Sequence, residues 1–530
     1  MIMAAKSKEI PVAKFPEQVG MDSKEIAALV KDFKDSEIEL HSLMLYRHGK
    51  LAFECHAAPY GRDVPHTMFS VSKSFISIAI GFAISEGLLS LDSKVIDFFP
   101  ELRPEKKDEW LEEMTVFHLL TMTAGKRVNY LSDKSKDTWV SDFINEKWDF
   151  EPGDRFYYVS ENTYMCGAII KKLTGLGVID YLMPRLFEPL GISRPTWELD
   201  PGGQEAGGWG LFIPPYDLSK VAMCVLNNGV YAGKQVIPAD YLELATSKQV
   251  ESENNGNSDS CAGYGFYFWM NQMENTFRMD GMFSQFAIFF REYDAMLVCT
   301  CSEINEQKTR DCIFRHFPQM FIANKRKAPD DAPEIALDPM PDLKATPRSV
   351  MEQFLKGKVM QFRKSTILNT FGFPTSVLPI AVVFMSAERS GNINNIVLDF
   401  GDNECVMAWD EGKDHNMIKC GMDGKPRRSK YHLGGVDFTA ISTAAWINEN
   451  ELEMWVRPLE SIAERRMRFV FSGKNVTIYP ESVPSSKAMG AGVTGPVSQA
   501  VPEAFGSTVS AIMDNIDTII DSPLKGKILG

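Results

Sequence analysis

The chain has 530 residues, 44% of them hydrophobic and 24% charged, with a formal net charge of −14. That composition excludes a disordered chain, and the length calls for about two to four domains. An acidic balance without a dense Lys/Arg stripe excludes nucleic acid and anionic membrane surfaces as expected partners.

From the N-terminus, Met1–Gln18 contains no apolar run long enough for a secretory signal, although a chain whose leader had been removed would read the same. Nine scattered cysteines without C-x-x-C spacing fit reduced thiols in a cytoplasm better than a disulfide framework or a zinc site. The apolar stretches Phe75–Ile84 and Val377–Met385 are too short to span a bilayer, so no membrane role is expected.

Helical spacing begins after Ser70: Phe75, Ile78, Ala79, Phe82 and Ala83 share one face, and Ile76, Ile80 and Ile84 widen it to a buried helix that Gly87 ends. A second helix is predicted from Asp217, read as its cap, to Gly229. Mixed helix and strand signals continue to about residue 325. Pro329, Pro333, Pro339, Pro341 and Pro347 then mark a linker, taken as residues 326–347. Residues 348–483 alternate like β structure. Leu452, Met454 and Val456 face one way, and Glu451, Glu453 and Arg457 the other. Hairpins are predicted where Met467, Phe469 and Phe471 run into Ser472-Gly473-Lys474, and where Ile396, Leu398 and Phe400 precede Gly401-Asp402-Asn403. An antiparallel barrel or sandwich follows. The tail, residues 484–530, is read as a flexible Gly/Ser/Ala segment and an amphipathic helix with Val509, Ile512, Met513, Ile516 and Ile520 on its stripe.

The chemistry-bearing pattern is Ser70-x-x-Lys73 at the start of the buried helix. Spacing of i, i+3 sets the amine one turn from the hydroxyl on the same side. A serine needs a base to become a nucleophile, and burial lowers a lysine's proton affinity enough to make it one. A helix N-terminus also offers backbone N–H groups to an oxyanion. By contrast, the eight histidines form no H-E-x-x-H pattern and no phosphate-cradling glycine loop occurs. A Ser–His–Asp triad through His118, in a short helix after Thr115, is the minor alternative.

The segments His41–Lys50, Met68–Phe75, Glu86–Asp92 and Met114–Gly125 together resemble the serine β-lactamase and penicillin-binding-protein superfamily. They are most similar to its class C-like branch of esterases, D-aminopeptidases and 6-aminohexanoate-dimer hydrolases. The resemblance covers about the first 320 residues. It implies an α+β fold in residues 1–325: an antiparallel sheet flanked by helices, with an all-helical subdomain inserted. It also implies a Tyr-x-Asn or Tyr-x-Ser element, found within Pro152–Thr163. Spacing from Phe156 and Asn162 favours Tyr158 over Tyr157 as the proton-passing tyrosine, with Ser160 third in the motif. The family's third motif, a Lys-Thr-Gly or His-x-Gly strand, falls on Phe277–Phe286. There Gly281 takes the motif glycine's place, Met282 supplies the second oxyanion N–H, and Met279 stands where a cation is usual. Gly207–Phe212 resembles a loop bordering the pocket, which makes Trp209 a candidate lining residue.

The resulting expectation is two-step acyl transfer on a small-molecule ester or amide, with no cofactor. Ser70, Lys73 and Tyr158 are catalytic; Gly281, Met282, Ser160, Asn162 and Trp209 serve the oxyanion or substrate. The alternatives are a peptidase for D-amino-acid or peptidoglycan-type peptides, and a catalytically silent binding protein on the same fold. The β region either restricts the pocket mouth or mediates assembly, and a homo-oligomer stays open.

Overall fold

The computed structural model describes residues 8–126, 138–252, 258–362, 393–433, 435–485, 487–488 and 521–530. It divides into two compact units, Met1–Asp338 and Pro339–Gly530.

The first unit is built on a six-stranded antiparallel sheet. Its strand order is Lys50–His56, Leu40–Arg47, Ala295–Cys301, Gln285–Phe290, Thr276–Gly281, Trp269–Met270. Everything between His66 and Ala262 is inserted between its second and third strands in sequence, including the helices Val116–Leu120, Trp139–Asn145 and Ser160–Thr174. Alternation sends the strand side chains to two cores. Leu43, Leu45, Ile288 and Leu297 meet Ile26, Leu29 and Ile313 on one face. Met44, Tyr46, Phe289 and Val298 meet Phe75, Ile76 and Ile80 on the other. Both faces are covered, so the central strands read as nearly continuous apolar runs, each fully buried large side chain contributing about 1.5–3 kcal/mol.

The helix Val71–Ser85 lies in that second core, with every residue from Val71 to Ala83 buried. That position explains an apolar circumference with no polar stripe. Its C-terminus closes as expected at Gly87 (φ 72), with Gly87 N–H donating to Ile84 O (3.0 Å) and Leu88 N–H to Ala83 O (2.9 Å). One boundary needs correction. The helix expected to open on Asp217 spans Pro215–Leu226, because Pro215 fits the first helical position. Asp217 sits inside it and pairs with Lys220 at 3.1 Å.

The second unit is a ten-stranded sheet, antiparallel between neighbours, that curls until its ends meet. Both predicted hairpins are present: Ile393–Phe400 with Glu404–Glu411, and Glu464–Ser472 with Asn475–Val483. Closure comes from the parallel bridge Gly421↔Thr443 and from Asn416, whose amide exchanges two hydrogen bonds with the His432 backbone (2.7 and 2.9 Å). Arg457, on the face opposite Val456, is nonetheless only 4% exposed, its guanidinium paired with Glu464. The barrel also takes in Leu524–Leu529, which lies between Val359–Phe362 and Asn475–Val483. The apolar stretch Val377–Met385 and the helix expected over Val509–Ile520 fall outside the described residues. Among the described residues no helix is long and apolar enough to cross a membrane. All nine cysteines are free thiols.

Candidate active site

Ser70 caps the N-terminus of the buried helix with helical backbone angles (φ −72°, ψ −9°). It is delivered by a strained residue, Phe69, whose φ of +44° is unusual for a non-glycine. Local bonds hold that turn. The Ser72 hydroxyl donates to Phe69 O (2.6 Å) and accepts the Leu211 N–H (3.1 Å), and Met68 N–H donates to Leu211 O (2.9 Å).

Lys73 is 1% exposed, and its amine makes three bonds: to Ser70 Oγ (3.0 Å), Ser160 Oγ (3.1 Å) and Gly208 O (2.6 Å). Burial lowers the amine from 10.5 to about 7, although the charges of Glu161 and Asp280 pull it back up. The Tyr158 ring lies 4.9 Å from the same nitrogen. Burial pushes the Tyr158 phenol upward, and its hydrogen bond with Ser70 opposes that. Trp269 (5.4 Å between ring centroids) and Tyr264 (6.2 Å) back the ring. Tyr157 is turned elsewhere, its N–H on Met122 O (2.8 Å) and its ring beside Phe150.

The glycines are set by close approach. A Cβ on Gly281 would stand 2.3 Å from Met68 O and 3.3 Å from Val71 Cγ2, so the third-motif strand presses against both flanks of Ser70. A Cβ on Gly208 would stand 2.6 Å from Ser160 Cβ. Among the described residues, no hydrogen bond involves the backbone N–H of Ser70 or that of Met282.

Other named residues lie further out. Asn162 is buried, and its amide faces Met122 Sδ (3.6 Å) rather than Lys73. Trp209 is half-buried, with its indole N–H on Glu198 (3.2 Å) and its carbonyl accepting from Trp197 (2.7 Å). His118 completes a capping box with Thr115, its Nδ1 accepting the Thr115 N–H (3.2 Å). Met279 is wholly buried in the core beside the helix Val71–Ser85. Arg278, on the alternate face, is held by Asp280 (2.5 Å), Asn271 Oδ1 (2.7 Å) and Met270 O (2.8 Å). Sequence reasoning missed the Gly208 carbonyl as a ligand of Lys73, as well as the aromatic backing from Tyr264 and Trp269. The adjacent Gly207-Gly208 pair was the only signal for the first. Among the described residues, no group of three or more His, Cys, Asp or Glu side chains is arranged to hold a metal ion.

A serine and a buried lysine on one helix turn, a tyrosine over both, and a glycine strand at their flank define a class of site that comparison then places. The chain belongs to the beta-lactamase family: residues 26–308 match its profile. Among curated proteins it is similar to a beta-lactamase of Escherichia coli K12, 28% identical over 145 residues (27% of this chain, 37% of that protein). It is also similar to the 6-aminohexanoate-dimer hydrolase of Paenarthrobacter ureafaciens, 24% identical over 262 residues (45% of this chain, 65% of that protein). The matches thus span less than two thirds of either relative's length. Among solved structures, the octameric penicillin-binding protein homologue from Pyrococcus abyssi is 14% identical with a TM-score of 0.44, covering 86% of this chain and 97% of that one.

Proposed function

We propose that the first unit hydrolyses an ester or amide of a small molecule through an acyl-enzyme on Ser70. One observation carries this reading. The Lys73 amine stands 3.0 Å from Ser70 Oγ with its proton affinity brought down to about 7, as a base working near neutrality requires. Neutral Lys73 takes the hydroxyl proton while Oγ bonds to the substrate carbonyl carbon. The N–H groups of Ser70 and Met282 receive the oxyanion. As the intermediate collapses, the proton returns through Lys73 and Tyr158 to the leaving alcohol or amine, and the bond to that group breaks. Water, activated by the same amine, then releases the acid and restores Ser70. A silent binding protein would have no use for a buried lysine of lowered proton affinity beside a serine.

The third motif supports substrates without a carboxylate. Met279 is core, and Arg278 is wholly buried with its Nε on Asp280 and its Nη1 on Asn271 and Met270 O, which favours substrates that need no exposed cation there. Nine free thiols support a reducing cytoplasm as the place of reaction. The test is covalent labelling by a fluorophosphonate probe, expected on Ser70 and lost in Ser70→Ala. Labelling that persists in that variant rejects the nucleophile. For substrate class, kcat/KM for a p-nitrophenyl ester is expected to exceed that for a chromogenic cephalosporin, and the reverse order rejects the carboxylate-free reading.

A further inference from the structure

The turn Met282-Phe283-Ser284 joins the third-motif strand to Gln285–Phe290. Two consecutive residues in it, Phe283 (φ 61°) and Ser284 (φ 67°), are left-handed. Non-glycine residues stay in that region only where their surroundings over-determine them, and here they do. The Phe283 N–H donates to Glu306 Oε1 (3.1 Å), and the Ser284 hydroxyl donates to Thr309 Oγ1 (2.8 Å). Gln285 Nε2 donates to Met282 O (3.2 Å) and Phe283 O (2.9 Å). Glu306 and Thr309 are one turn apart on the helix Glu306–His316, so one helix face carries both pins. Glu306 is itself steadied by Arg310 (3.8 Å), which also reaches Asp280 (3.5 Å). On its other side the Phe283 ring meets the ring of Phe69 at 5.2 Å, the strained residue that precedes Ser70.

The peptide plane between Met282 and Phe283 is therefore held at both ends, its carbonyl by Gln285 and its N–H by Glu306. We infer that Glu306 is a positioning residue: by fixing this plane it sets the Met282 Cα and aims the Met282 N–H at the oxyanion that forms on the acyl carbon. This rests on reading Ser70 as the nucleophile and Met282 as the second oxyanion donor. Glu306 touches no reacting atom and acts only through the turn. Oxyanion donors matter to the transition state rather than to ground-state binding, so a misaimed donor lowers kcat and leaves KM alone.

The experiment is steady-state hydrolysis of a p-nitrophenyl ester by the full chain and by Glu306→Ala, Glu306→Gln and Thr309→Val, with thermal melting as the check on folding. Glu306→Ala is expected to lose at least about tenfold in kcat with KM changed less than about threefold, a partial loss beside the 100- to 1000-fold for a deleted donor. Glu306→Gln keeps a carbonyl acceptor for the Phe283 N–H and is expected to recover kcat to within about threefold of the parent. Should Glu306→Ala not fold, Thr309→Val, which removes the second pin without changing shape, is expected to show the same kcat-selective loss. The inference is overturned by an alanine variant that folds and keeps its kcat, by a loss carried in KM, or by a glutamine variant as slow as the alanine one. A parent that neither hydrolyses the ester nor labels with fluorophosphonate rejects the nucleophile reading and this inference together. A parent that does both, with no kcat effect at Glu306 and Thr309, rejects this inference alone.

Discussion

Lys73 ties the proposed chemistry to a measurable pH dependence. Its amine falls from an ordinary 10.5 to about 7 because it is buried, a drop of about 3.5. Each pH unit of displacement represents about 1.36 kcal/mol, so burial, net of the opposing charges of Glu161 and Asp280, disfavours the ammonium by roughly 5 kcal/mol. The direction follows from which form is needed. The base is the neutral amine, so kcat/KM for an uncharged ester should fall about tenfold per pH unit below 7, leaving roughly 1% of the neutral form at pH 5. Lys73→Ala should lose at least about a hundredfold in kcat and lose that acidic limb with it. Stability should also rise with pH, but in a higher window than activity. A lysine whose folded value lies below its unfolded value binds fewer protons folded than unfolded between about 7 and 10.5, so stability rises with pH across that window and the cost is fully present below 7. Lys73→Met removes the amine but leaves the Gly208 carbonyl unpaired, which costs about 1–3 kcal/mol. The net is a gain of roughly 1–3 kcal/mol at pH 7, read as a higher urea midpoint at unchanged slope. A parent profile flat from pH 5 to 8, or a methionine variant less stable than the parent, would refute the reasoning.

Gly281→Ala puts a methyl 2.3 Å from Met68 O, and backbone cannot yield there cheaply. It should cost about 1–3 kcal/mol in a denaturant melt and slow fluorophosphonate labelling of Ser70; unchanged labelling would mean the strand is not set by this contact. Ending the chain after Asp521 deletes Leu524–Leu529 and bares the edges of Val359–Phe362 and Asn475–Val483. Size exclusion should then show aggregates, and a monodisperse product with the parent's melting temperature would show that the barrel closes without that strand.

Ser70 and Lys73 were legible because their relation is local: i, i+3 on a helix is a distance that sequence alone dictates. Tyr158 was legible only through the family resemblance and its spacing from Phe156 and Asn162, since residue type alone does not say which of two adjacent tyrosines turns inward. What stayed hidden is long-range. The Gly208 carbonyl is 135 positions from Lys73, and a backbone acceptor leaves no trace in a side-chain pattern. Glu306 looks like an ordinary first-turn acid until the turn before Ser284 is folded against it. The terminal strand was read as part of a tail whose Gly/Ser/Ala run and apolar stripe set the reading; Leu524–Leu529 buries only Leu524 and Ile528, so no period-two alternation marks it as a strand. Its neighbours in the barrel decide the matter.

The three partners of the Lys73 amine also fix the direction in which the proton moves. An ammonium has three donors and fills all three positions, at Ser70 Oγ, Ser160 Oγ and Gly208 O. A neutral amine has two donors and one lone pair. The Gly208 carbonyl can only accept, so it keeps one N–H, and Ser160 takes the other. The lone pair is then left for the Ser70 hydroxyl, the geometry of a base about to take that proton. Ser160 is in this view an acceptor that orients the amine, which Ser160→Ala tests. Removing an acceptor disfavours the charged form, so the acidic limb of kcat/KM should move below its parent position near 7. The plateau should drop about tenfold, because the freed N–H lets the lone pair rotate away from Ser70. A limb that moves upward would show that Ser160 acts as a donor to the amine instead. An unmoved limb with an unmoved plateau would show that the Gly208 carbonyl alone orients it.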